Sequence, residues 1–237
     1  VHFYDQSTIR AVNNARFYAR FKWLGLGALA FGLWSLYDGY VNYPDMKVRS
    51  DAIMVIAEDE LSRSELLECQ DGAHDLNDVY KRVVEKLRDQ SDAWARWLAI
   101  AEEKSWPVEP PEKAHTDNDI IMQYVMAGLC TLATTYFFGV LISTNGRWIE
   151  VDDNELITSG GLSFPLAAVT QIDKRKWIDK GIAYVAYNDN DRQRRFVLDN
   201  YKYLREETDA ILYRMEQVAG ADKIINGSAE VHPDAEK

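Results

Sequence analysis

Two stretches decide how this chain is built: Trp23–Tyr43, WLGLGALAFGLWSLYDGYVNY, and Ile120–Ile142, IIMQYVMAGLCTLATTYFFGVLI. The first carries a single charge, Asp38, and the second carries none. As a helix, the first would reach about 31 Å, roughly a hydrocarbon core, and the second is long enough to span with some tilt. Both exceed the usual length of a buried globular helix, so residues 23–43 and 120–142 are expected to be two transmembrane helices. Trp23, Tyr37, Tyr40 and Tyr43 lie toward the ends of the first, and Tyr124 and Trp148 within or just beyond the second, as interfacial aromatics do. Asp38 falls late enough to sit near the interface, and Pro44 suits a helix exit.

Working outward, Arg10, Arg16, Arg20 and Lys22 precede the first span, Lys47 and Arg49 follow it, and Arg147 follows the second. The positive-inside bias then puts both termini in the cytoplasm and the middle segment outside it, in a bacterial inner membrane or an equivalent energy-transducing membrane. A cleaved signal peptide fits poorly: its n-region would contain Asp5, and no small-residue cleavage pattern follows the apolar run. The full 237 residues carry a formal charge of −11 with 47% apolar side chains. That apolar share excludes global disorder, and the charge argues against unaided binding to nucleic acid or to an anionic membrane surface.

The polar parts divide by periodicity. Residues 1–22, with Ile9, Val12, Phe17 and Phe21 among the bases, read as a cytoplasmic helix that either extends the first span as one long helix or lies along the cytoplasmic interface. Residues 44–119 read as a helical extracytoplasmic segment. There Leu76, Val79, Tyr80, Val83, Val84 and Leu87 share one face, and Trp94, Trp97, Leu98 and Ala101 a second. Ile53, Met54, Ile56 and Ala57 begin a shorter upstream helix, and WPVEPPEK at 106–113 is an extended connector. Such a segment either closes on its own apolar stripe or turns part of it toward a neighbouring subunit. From residue 143 the period shortens: strands are expected over 147–157 with an Asp-Asp-Asn turn, over 162–172, over 181–187 before a turn at 188–191, and over 194–198. A final helix covers 204–218, and residues 220–237 read as a tail.

Few residues suggest chemistry. His2, His74, His115 and His232 are scattered, no HExxH pattern exists, and Cys69 and Cys130 lie too far apart for CxxC and in different compartments for a disulfide. Glu58-Asp59-Glu60 lacks any metal-site frame, and Thr144-Asn145-Gly146 and Ser159-Gly160-Gly161 are turns without a Walker lysine. Asn226-Gly227-Ser228 matches a glycosylation acceptor on the wrong side of the membrane. The chain is therefore expected to be no enzyme and to need no cofactor or metal of its own.

The run GRWIEVDDNELITSGGLSFPLAAVTQIDKRKWIDKGIAYVAY, with RQRRFVLDNYKYLREETDAILYRMEQ, resembles the bacterial pleckstrin-homology-like domains attached to membrane spans. The likeness rests on Asp153 in the early turn, Phe164-Pro165-Leu166 leading a strand, Ile172-Asp173, Trp177, Lys180-Gly181-Ile182 and the closing helix. It covers roughly residues 146–218 and implies a small curved antiparallel sheet closed by a helix, at 143–219. Eukaryotic relatives in fold often bind phosphoinositides with basic residues around the first hairpin, whereas here that turn, Asp152-Asp153-Asn154, is acidic. A separate basic cluster, Lys174, Arg175, Lys176 and Lys180 with Arg192, Arg194 and Arg195, could meet acidic lipid or a partner.

Small residues supply the other candidate surface. Ala127, Thr131, Thr135 and Gly139 recur every four residues along the second span, and Gly25, Ala28 and Gly32 line the first, as helix-packing stripes do. The fold expected is thus membrane α+β. The role expected is a non-catalytic accessory or structural subunit of a larger respiratory, photosynthetic or transport complex. Its partners would be other integral subunits, lipids and any neighbouring pigments. The competing class is a membrane-anchored adaptor or signalling module using its C-terminal domain to bind a peptide or acidic lipid.

Overall fold

A computed structural model describes residues 3–190 and 192–232; Val1, His2, Asp191 and Pro233–Lys237 lie outside the described residues. The turn expected at 188–191 is thus described only in part. The fold is mixed helix and sheet. It divides into two units, residues 1–25 with 136–237, and residues 26–135, and each is described by itself.

In the first unit the described residues form two four-stranded sheets. The first runs β1 (Ile9–Val12), β2 (Trp148–Val151), β3 (Glu155–Thr158) and β4 (Ser163–Pro165), all antiparallel. The second has the order β7 (Arg192–Asp199), β6 (Ile182–Asp189), β5 (Val169–Lys176) and β8 (Ile224–Ile225), with β8 parallel to β5. A short helix, α7 (Trp177–Lys180), connects β5 to β6, and α8 (Arg205–Ala219) buries Ile211, Leu212 and Met215 in the core between them. Alternation explains the strands: in β6, Ala183, Val185 and Tyr187 are buried while Ile182, Tyr184 and Ala186 are only partly so.

Two expectations are corrected here. The N-terminal segment is not one helix: Ile9–Val12 pairs with β2, Ile9 opposite Val151 and Val12 opposite Trp148. Its Ile9-Arg10-Ala11-Val12 alternation buries Ile9 and Ala11, and Arg10 lies over the Trp148 ring. The helix α1 (Ala15–Tyr37) starts only after Asn14, whose Oδ1 accepts the Arg16 and Phe17 amides as an N-cap. Residues beyond Gly220 are not a plain tail either, because β8 extends the second sheet and the segment to Glu230 is tied to buried side chains. No local periodicity announces either feature, since both depend on a strand distant in sequence.

In the second unit, α1 does not exit at Pro44. It passes through a π-helical turn, Asp38–Asn42, into α2 (Tyr43–Glu60), where Pro44 occupies the first turn and needs no amide partner. Asp38 is buried at this turn, accepting from Trp34 Nε1 at 2.8 Å and Asn42 Nδ2 at 3.0 Å. Then follow α3 (Arg63–Gln70), with a full capping box from Ser62 and Glu65, α4 (Leu76–Asp89) and α5 (Ser91–Lys104). Ile53, Ile56, Ala57, Tyr80, Val83, Leu87, Trp97 and Ala101 form one shared core, so the stripes read from the sequence largely close on one another. Leu76 remains exposed. The proline-rich connector packs onto this core: Trp97 Nε1 donates to Val108 O at 2.7 Å, and Trp106 stacks on Trp97. Burial pushes the Tyr80 phenol up to about 12.

The helix α6 (Asp117–Thr144) starts earlier than expected, capped reciprocally by Thr116 and Asp119. Among the described residues it is the one helix long and apolar enough to cross a membrane. The basic Arg16, Arg20 and Lys22 inside α1, and its change to π geometry at Asp38, shorten the apolar length of the other candidate.

Candidate functional site

The helix-packing residues separate into two groups. A Cβ on Gly25 would meet the Phe138 ring at 3.1 Å, one on Gly32 would meet Cys130 Cβ at 3.0 Å, and one on Gly39 would meet Gln123 Cβ at 3.1 Å. These glycines recur every seven residues, so one seam of α1 and of its π turn approaches α6 closely. Ala127 is buried, and its carbonyl oxygen lies 3.8 Å from a Cβ built on Gly32. Tyr124 Oη adds a hydrogen bond to Gly39 O at 3.1 Å, filling an acceptor at the π turn.

The stripe Ala127, Thr131, Thr135, Gly139 does not stay on this seam. Four residues advance a helix by more than one turn, so the stripe drifts, and a Cβ on Gly139 or Gly128 would touch nothing within 4 Å. Thr131 and Thr135 donate to Ala127 O and Thr131 O of their own helix, at 2.9 and 2.8 Å, rather than across to α1. Ala28 and Gly32 line, with Cys130, Thr131, Thr134 and Thr135, a cavity of about 100 Å³ between the helices, where Thr134 Oγ1 is buried without a partner among the described residues. The large apolar side chains Trp23, Leu24, Phe31, Leu33, Trp34, Ile121, Leu129, Leu132 and Ile142 are all exposed, Leu132 by 69%.

The basic cluster also separates. Lys174 is not on the surface: it points to the core side of β5, and its ammonium lies 2.9 Å from Glu216 Oε1, 2.5 Å from Glu230 Oε1 and 2.6 Å from Ser228 O. The Glu216 contact is an ion pair off the hydrogen-bond direction, while Glu216 Oε2 accepts the Glu230 amide at 2.6 Å. Burial raises the Glu216 pKa, against the opposing pull of the Glu230 amide and Lys174. Lys174 thus fastens the C-terminal segment and offers nothing to a ligand. Lys180 and Arg192 are exposed but stand outside the groove described next.

Arg175, Lys176, Arg194 and Arg195 do come together around one groove of β5, β6 and β7. With Gln171, Asp173, Tyr184, Ala186 and Gln193 they line an open groove of about 470 Å³. Register explains the grouping: Gln171 pairs with Ala186, Asp173 with Tyr184, and Ala186 with Arg195. The Arg195 guanidinium stacks 3.6 Å from the Tyr184 ring centroid, and Lys176 Nζ lies 5.7 Å from it. Arg175 is bound to Asp173 at 2.5 Å, and that guanidinium, with help from Asn226, holds the Asp173 carboxyl well below the usual range. Arg194 is paired with Asp189 at 2.8 Å. Among the described residues of the cluster, Lys176, Lys180, Arg192 and Arg195 have no carboxylate partner, whereas Lys174, Arg175 and Arg194 do. Sequence reasoning missed Tyr184, Asp173, Gln171 and Gln193. The alternation of Ile182–Tyr187 already assigns Tyr184 to the outer face, but the Asp173–Tyr184 pairing is a product of register.

Among the described residues no three His, Cys, Asp or Glu side chains converge on a metal-sized site. No protein-family model and no curated protein matches the chain.

Proposed function

We propose that the chain is a two-span membrane protein serving as a non-catalytic accessory subunit of a larger membrane complex, with α1 and α6 as its spans. The observation that carries this reading is the exposure of large apolar side chains along both helices, which water would not tolerate over such an area. Pairing of β1 with β2 supports a common side for both chain ends, since a sheet cannot assemble from strands on opposite sides of a bilayer. Arg10, Arg16, Arg20, Lys22 and Arg147 at that end favour the cytoplasm. The four-stranded antiparallel run, the β5–β7 meander and the closing α8 support a pleckstrin-homology-like reading of the C-terminal region.

With Gly25, Gly32 and Gly39 committed to the intrachain seam, Gly128 and Gly139 remain open to a further helix, and this is where a partner subunit docks. Extraction in mild detergent followed by native mass spectrometry tests the proposal. A stoichiometric assembly that loses its partner on Gly139→Val, with the monomer equally stable, supports it. Recovery of the untreated chain as a detergent-free soluble monomer refutes it. The adaptor reading is favoured by one observation, the basic groove, and predicts a chain that leaves the extract alone and stable.

A further inference from the structure

The membrane-side end of the first unit is identified by where α1 begins. Asn14, its N-cap, receives two ties from the β7–α8 connection: its amide donates to Lys202 O at 2.8 Å and its side chain to Tyr201 O at 3.1 Å. Directly beside that connection lies the turn after α7, where the Asn200 amide donates to Gly181 O at 2.9 Å. A Cβ on Gly181, at φ +60°, would collide with the Asn200 side chain, so this approach is fixed. The α7 turn therefore stands at the same end of the sheet as the start of α1.

What α7 presents there is unusual. Ile178 is 89% exposed, the most exposed large apolar side chain of the described residues, and Lys176 and Lys180 flank it two residues to either side. Tyr201, the chain neighbour of Asn200, is exposed as well. The groove lies on the same face: Val197 is opposite Tyr184 in the register, and Val197 also lines a cleft with Phe17, Tyr18, Phe21 and Val140 at the helix ends. Arg195 is one pleat further along β7 than Val197, about 7 Å away.

We infer that the α7 turn and the β5–β7 groove rest on an anionic bilayer surface, with Ile178 entering the headgroup–acyl boundary and Lys176, Lys180 and Arg195 facing lipid phosphates. This rests on the membrane-spanning reading above. An exposed apolar side chain with a cation two residues to either side, at the end of the sheet where α1 begins, matches a lipid interface in both chemistry and position. Arg175 and Arg194 are occupied by Asp173 and Asp189, and Asp179 is the acidic group on α7 itself. An acidic protein segment would satisfy the lysines but gives no role to an isolated exposed isoleucine at the membrane end.

Photocrosslinking separates the alternatives. The full chain carrying Ile178→benzoylphenylalanine is reconstituted in nanodiscs of phosphatidylcholine alone or in equal parts with phosphatidylglycerol, and adducts are read by mass. A second version, Leu132→benzoylphenylalanine, reports insertion of α6 independently. The expected result is a phosphatidylglycerol adduct at 178 that falls about fivefold for each of Lys176→Gln and Lys180→Gln. Adducts at 132 with none at 178, or equal yields at 178 in both lipid mixtures, overturn the inference and leave the spanning helices standing. A protein adduct at 178 in native membranes overturns it in favour of a partner. Absence of lipid adducts at 132 removes both readings together.

Discussion

Replacing Lys174 by methionine isolates the contact that holds the C-terminal segment. The lysine side chain is 3% exposed and Glu216 1%, and Lys174 is the cation that both Glu216 and Glu230 face. Lys174→Met keeps the apolar stem and removes the charge, so Glu216 is left buried and unpaired. Breaking one partner of such a pair costs about 3–5 kcal/mol, most of it the desolvation of the surviving charge. The sign with pH follows from Glu216, whose pKa is raised by burial and rises further once Lys174 is gone. A carboxyl raised on folding costs stability above its folded-state pKa, and that cost fades as pH falls back toward the ordinary carboxylate value. The deficit of Lys174→Met is therefore largest at neutral and alkaline pH and shrinks on mild acidification. Lys174→Met with Glu216→Leu recovers most of the loss, short of about 1 kcal/mol for the Glu230 amide bond. Hydrogen exchange of the β5 and β8 amides in the solubilised full chain reports these opening energies. A single variant within about 1 kcal/mol of the parent at pH 7, or a double variant no better than the single, would refute the reasoning.

The α1–α6 seam predicts opposite outcomes for two glycines of one helix. Gly32→Val meets Cys130 Cβ and lowers thermal stability in detergent by about 1–3 kcal/mol, whereas Gly27→Ala meets nothing and holds or raises it by up to about 1 kcal/mol. At the α7 turn, Gly181→Ala combines a left-handed backbone with collision against Asn200, and is expected to cost about 2 kcal/mol or more by the same exchange measurement. Gly146→Ala, left-handed but facing open space, is expected to cost only about 1–2 kcal/mol, the backbone share alone.

Local pattern reached far into this fold. The period-two alternation and turn residues around Asp152–Asn154 give β2 and β3 almost to the residue, and the three- and four-residue spacing in 76–101 finds the faces that bury Tyr80, Val83, Leu87 and Trp97. Pro44 was misread because a proline is tolerated wherever a helix restarts, and a π turn supplies such a restart without leaving the helix axis. The basic cluster was legible as composition but not as geometry. Lys174, Arg175 and Lys176 adjoin in sequence, yet alternate faces of β5 and its irregular pairing send the first to Glu216 and the next two to the groove.

By itself the sequence determined what neighbours along the chain can decide: where a long apolar run makes a helix, where a helix has one greasy face, where a strand alternates. Only the tertiary structure decided which strand Ile9–Val12 joins, that Ile224–Ile225 completes the second sheet, and that Gly25, Gly32 and Gly39 face α6 while Gly128 and Gly139 face away. Those outcomes depend on pairing and register between segments far apart in sequence, and the same local residue pattern is compatible with either answer until the partner surface is in place.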